Sequence, residues 1–139
     1  MDTKKEHINP DGLFKSSAFS QVVTTQGNGK TIYIGGQNSV NKNLEIIGKG
    51  NLSKQTEQVM LNLKIALEAC GADFSDLIKL NINLVQGQDA TKGFEASQKF
   101  LNSISELPVI TVLFVASLGR PDFLVEIDAI AFIPEVRMK

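Results

Sequence analysis

The pattern of apolar and polar positions along the chain predicts strands at both ends and two helices between them. Phe19 to Thr25 and Lys30 to Gly35 read as strands, and Thr31-Ile32-Tyr33-Ile34 is rich in β-forming residues. Asn28-Gly29 between them predicts a hairpin turn, because both residues tolerate positive φ. From Leu52 to Ala69 apolar residues recur at helical spacing, with Val59, Leu63, Ala66, Leu67 and Cys70 on one stripe. Gly71 predicts the end of that helix. Cys70 lies on the stripe, so it reads as a small buried hydrophobe and not as a reactive thiol. Leu77 to Val85 is a third strand. Asp89 predicts the cap of a second helix, Ala90 to Ser103, with Phe94, Ser97, Phe100 and Leu101 toward its inner side. Val109 to Ser117 and Phe123 to Ile133 are the last two strands.

The predicted order is β-β-α-β-α-β-β. The class is α/β in the broad sense (α+β): a mixed sheet with two helices on one face. Segment 1–15 is polar and reads as an extended lead-in, and 16–139 reads as one domain. The strand Val109–Ser117 adds a constraint. Ile110, Val112, Phe114 and Ala116 point one way, and Leu113 and Val115 the other. Both faces are apolar, yet two helices cover only one. The other face needs a partner, and a second copy of the same chain is the simplest.

Composition narrows the chemistry. Fourteen Lys and Arg against fifteen Asp and Glu leave a net charge of −1. Nucleic acid is therefore not the expected partner, since phosphate binding needs a clustered basic surface. No apolar run approaches the roughly 20 residues of a membrane span. The charged start of the chain does not resemble a signal peptide, and the single cysteine, Cys70, fits a cytoplasmic location. The only histidine, His7, falls in the polar lead-in, read as mobile. A Ser-His-Asp or Cys-His arrangement is excluded on that reading, as is a zinc site. Gly27-Asn28-Gly29-Lys30 has neither the spacing nor the following helix of a phosphate loop. No cofactor or metal is expected. The remaining tools are carboxylates, hydroxyls, backbone groups and water.

The last strand supplies the candidate carboxylates. In Leu124-Val125-Glu126-Ile127-Asp128-Ala129-Ile130-Ala131, alternation puts Glu126 and Asp128 on one face with Leu124 and Ile130. A carboxylate among apolar neighbours can orient or activate a water, and Glu126 is the catalytic candidate. The plainer reading, a rim position or a hydrogen-bonded structural acid, suits Asp128 better.

Several ordered segments resemble the RidA family, also called YjgF, the reactive intermediate deaminases. They are Tyr33-Ile34-Gly35-Gly36-Gln37, Gln55-Thr56-Glu57-Gln58-Val59 continuing to Leu67-Glu68-Ala69-Cys70-Gly71, Asp76-Leu77-Ile78-Lys79, and Val125-Glu126-Ile127-Asp128-Ala129-Ile130-Ala131. The resemblance covers about Phe19 to Ile133. It implies a fold like chorismate mutase of the bacillus type, and a homotrimer with a central barrel and small-molecule clefts between subunits. It also implies cofactor-free hydrolysis of enamines or imines, such as 2-aminoacrylate, to keto acids and ammonia. Glu126 matches the family glutamate that positions water. Gly36 and Gln37 match the turn after the second strand, and Gly35 stands where many members have serine. The family arginine that grips the substrate carboxylate falls within Pro108-Val109-Ile110-Thr111, where Ile110 replaces it. Phe19 replaces a frequent tyrosine and Phe94 a frequent asparagine.

The expected ligand site is thus Phe19, Gly35, Gly36, Gln37, Phe94, Ile110 and Thr111 around Glu126. All three replacements go from polar to apolar, so a carboxylate ligand would lose its partner. Arg120, in the loop before the last strand, is a candidate substitute for that cation, its plainer reading being a solvated turn arginine. Two readings stay open: a deaminase of altered substrate, or a trimer that binds a small apolar metabolite without turnover.

Overall fold

The computed structural model describes residues 3–137. Its elements are β1 (Lys4–Ile8), β2 (Val22–Gln26), β3 (Gly29–Gln37), α1 (Leu52–Ala69), β4 (Leu77–Val85), α2 (Ala90–Leu101), β5 (Val109–Val115) and β6 (Val125–Pro134). Short 3₁₀ turns precede β4 and follow β6. The main sheet has the order β3-β6-β4-β5. β6 runs antiparallel to both neighbours, and β4 and β5 are parallel, so the sheet is mixed as predicted. The parallel pair needs a crossover, which α2 provides.

Both helices begin on side-chain caps. Asn51 Oδ1 accepts from the Lys54 amide at 3.0 Å, and Asp89 Oδ1 from the Thr91 amide at 3.0 Å. α1 stops at Gly71 (φ +77°), where the Ala72 amide returns to the Leu67 carbonyl. Val59, Met60, Leu63 and Leu67 of α1 are fully buried. They share one core with Ile32 and Ile34 of β3 and with Val125, Ile127, Ala129 and Ala131 of β6. Each such side chain contributes about 1.5–3 kcal/mol by leaving water. Cys70, the residue that caps α1, is half-buried at the edge of this core, less enclosed than its place on the stripe suggested.

The N-terminal region departs from expectation. The segment read as a lead-in contains β1, which pairs antiparallel with β2 in a separate two-stranded sheet. His7 is therefore not mobile: its side chain is 5% exposed, and Nδ1 donates to the Leu107 carbonyl at 2.7 Å. The predicted β2–β3 hairpin does not form, because β2 is taken by β1 and β3 by β6. The positive φ lies at Gly27 (+84°) and not at Asn28. Gly29 has a different cause: a Cβ there would lie 2.4 Å from the Phe132 ring.

β5 is the outer strand, and no element among the described residues pairs with its far edge. Val112, Leu113 and Phe114 are 46%, 56% and 51% exposed, so apolar side chains reach solvent from both faces of this strand.

Candidate functional site

Strand register decides which candidates meet. Residues paired across neighbouring strands point to the same face. Ile110 pairs with Leu80, which pairs with Ala129, and this row faces the helices. Leu113 pairs with Asn83, which pairs with Glu126, and this row faces away from them. Thr111, Asn81 and Asp128 form the neighbouring row on that open face. The expected site therefore falls into two groups within one chain.

The first group surrounds a cavity of about 370 Å³ between α1, α2 and the β4–β5 edge of the sheet. Phe19, Phe94 and Ile110 all line it, together with Val112, Ile82 and Gly93. Its floor is the buried core: Met60, Leu80, Leu84, Val125 and Ile127. Two hydroxyls in the wall are already used. Thr56 Oγ1 donates to the Leu52 carbonyl and Ser97 Oγ to the Phe94 carbonyl, both at 2.8 Å. Among the described residues, no charged side chain lines the cavity. Arg120 does not enter it; its guanidinium lies 5.3 Å over the Phe123 ring, with Nη1 3.4 Å from the Leu44 carbonyl.

The second group sits on the open face at an irregularity in β3. Ile34 pairs with Ala129 and Gln37 with Ile127, so Gly35 and Gly36 together oppose the single residue Asp128. The Glu126 carboxyl group lies directly over Gly36, where a Cβ would be 2.7 Å from Glu126 Cδ. Only glycine allows this approach. Asp128 accepts from Asn81 Nδ2 at 2.8 Å, the structural role expected of it. The Glu126 side chain makes no hydrogen bond or ion pair among the described residues. It is half-buried on the central strand, so its acceptor capacity is free for a water or ligand. Gln37 stays local, donating to the Gly35 carbonyl at 3.1 Å. Gly35 faces open space, and Thr111 is exposed on the open face away from Ile110.

Two side-chain amides, one buried and one half-buried, hold this frame, and sequence reasoning missed both. Gln55 of α1 is fully buried. Its Nε2 donates to the Asp122 carbonyl (2.9 Å) and the Gly48 carbonyl (3.3 Å), and its Oε1 accepts from the Leu124 amide (2.9 Å). It thereby fixes the entry to β6 two residues before Glu126. Asn62 donates to the Asn38 and Val40 carbonyls, each at 3.0 Å, and steadies the loop after Gly36-Gln37. The signal was available for Gln55: a polar residue one turn before Val59 on a buried stripe needs partners. Among the described residues, no three His, Cys, Asp or Glu side chains gather as metal ligands. No helix among them is long and apolar enough to cross a membrane.

An α+β domain with this strand order and a glutamate over a diglycine irregularity defines a class, and comparison with known proteins identifies it. Residues 13–133 match the family model described as Endoribonuclease L-PSP, so the chain belongs to that family, the RidA/YjgF group. A RutC family protein of Pyrococcus horikoshii is 33% identical over 104 residues, covering 75% of this chain and 80% of the relative. The 2-iminobutanoate/2-iminopropanoate deaminase of Dermatophagoides farinae is 30% identical over 115 residues, covering 83% and 85%. Among solved structures, a Rid family protein of unknown function, YyfB from Yersinia pestis, superposes with a TM-score of 0.83 at 32% identity, covering 93% of this chain and 98% of that one. The fold is the chorismate mutase-like fold of these neighbours.

Proposed function

We propose that the protein is a cofactor-free hydrolytic deaminase of the Rid type, acting in the cytoplasm on a small enamine or imine in clefts between the subunits of a homotrimer. The carrying observation is the Glu126 carboxylate, held over Gly36 with its acceptors uncommitted. A carboxylate so placed accepts a proton from water as the water oxygen adds to the imine carbon. That proton passes to the nitrogen to give the carbinolamine, whose C–N bond then breaks as the hydroxyl proton is relayed through the carboxylate to the nitrogen, and ketone and ammonia leave. The similarity to a relative named as an imine deaminase supports the reaction class. Opposed faces support the assembly: Ile110 and Glu126 point away from each other in one chain, so a cleft holding both takes them from different copies. The exposed Val112, Leu113 and Phe114 supply apolar surface for that contact.

Ile110 stands where the family arginine is expected, so 2-imino acids bind poorly. A second reading, binding without turnover, is favoured by the wholly non-ionic lining of the cavity. One assay separates the two. 2-Aminoacrylate is generated in situ, and keto acid and ammonia release are followed with and without the protein. Slow release that Ile110→Arg raises about tenfold or more supports the deaminase. No release from either form, even with neutral imines as substrates, supports the binding reading. A monomeric mass by light scattering at micromolar concentration removes the intersubunit cleft.

A further inference from the structure

We infer that the cavity beneath Phe19 and Phe94 selects an uncharged ligand with a hydrocarbon body and one neutral hydrogen-bonding group. The inference deepens the proposed function by naming its ligand class, but it does not depend on turnover. The cavity has the form of a site. Its mouth is half-open, with Phe94 49% and Val112 46% exposed, and its floor reaches the fully buried Met60 and Val125. Its origin is also clear: α2 packs on α1 and stands off from β4 and β5, and the space between them is left unfilled.

Polarity sets the ligand class. Thr56 and Ser97 spend their hydrogens on carbonyls of their own helices, and no ionised group is present to meet a charge. A charged ligand would leave water without compensation, whereas a hydrocarbon body gains by burial. The one polar side chain in the lining with no partner among the described residues is Gln98, half-buried, whose amide can both donate and accept. It suits a carbonyl, imine or hydroxyl on the ligand. An engineered apolar cavity of about 150 Å³ holds benzene. The cavity here, at about 370 Å³, is large enough for a fused two-ring body.

The test uses the neutral fluorescent probe N-phenyl-1-naphthylamine with the full-length protein. Dye fluorescence rises on binding and is displaced by 2-naphthol, while 2-naphthoate, the same ring system bearing a carboxylate, competes about tenfold or more weakly. Ile110→Arg, which places a cation at the wall, reverses that order. Ile110→Trp fills the mouth and removes dye binding at an unchanged melting temperature, so the proposal stays testable if the arginine variant does not fold. Equal displacement by the two competitors overturns the inference, as does dye binding that survives Ile110→Trp, which would place the dye elsewhere, on the exposed β5 surface. Dye binding without keto acid release would sink the deaminase reading alone, and release without dye binding would sink this one alone.

Discussion

The two faces of the main sheet carry opposite chemistry on the same strands. Toward the helices, Leu80, Ile110 and Ile127 line a cavity with no ionised group. Away from them, Asn81, Asn83, Glu126 and Asp128 form a polar field across the centre of the sheet. Only the first face is covered by the chain's own helices. In the proposed function, recognition of a hydrocarbon and handling of water are thus separated by the thickness of one sheet. Bringing the two chemistries to one ligand would then take a second copy. An arginine at the position of Ile110 would put a charge on the helix side, where Ile110 instead packs against the core.

The contrast can be broken from either side. The largest expected effect is Glu126→Gln, which keeps the shape but removes the proton acceptor. Imine hydrolysis should fall by roughly 10²- to 10⁴-fold with the urea midpoint unchanged. Binding of a neutral probe on the helix side should not move, and a parallel loss of both would mean that the two faces are not independent. Next comes Gln55→Ala, which strikes the frame shared by both. It strips the Leu124 amide and the Asp122 and Gly48 carbonyls of a buried partner, at a cost of about 2–3 kcal/mol in urea unfolding. A change below about 0.5 kcal/mol would show that water replaces the amide. The smallest effect on stability belongs to Gly36→Ala. The new methyl displaces the flexible end of Glu126, costing about 1 kcal/mol or less, yet turnover should drop about tenfold because the carboxylate has moved. Unchanged turnover would mean that the close approach to Gly36 does not position the group.

Local signals were legible where their cause is local. The helix Leu52–Ala69 and the strand Leu77–Val85 were read to the residue, because the caps, Gly71 and the hydrophobic periods all lie within the segment. The alternation of β6 put Glu126 and Asp128 on one face, and the structure agrees. The second helix and the last two strands were read a few residues off, where fraying blurs the ends.

The failures are failures of range. Asn28-Gly29 has the composition of a hairpin turn, but nothing nearby reveals that β1 competes for β2. His7 looked mobile because its partner, the Leu107 carbonyl, is a hundred residues away in the chain. That Ile110 and Glu126 point to opposite faces within one chain was equally out of reach, because β4 lies between their strands and sets the phase of each. The sequence by itself determined both helices, the strands of the main sheet, the family and the presence of a glutamate on an apolar strand, because periodicity and spacing are properties of contiguous residues. Only the tertiary structure decided that the apolar replacements share a cavity while Glu126 faces the other way, because side-chain direction across a sheet depends on the register of strands distant in sequence.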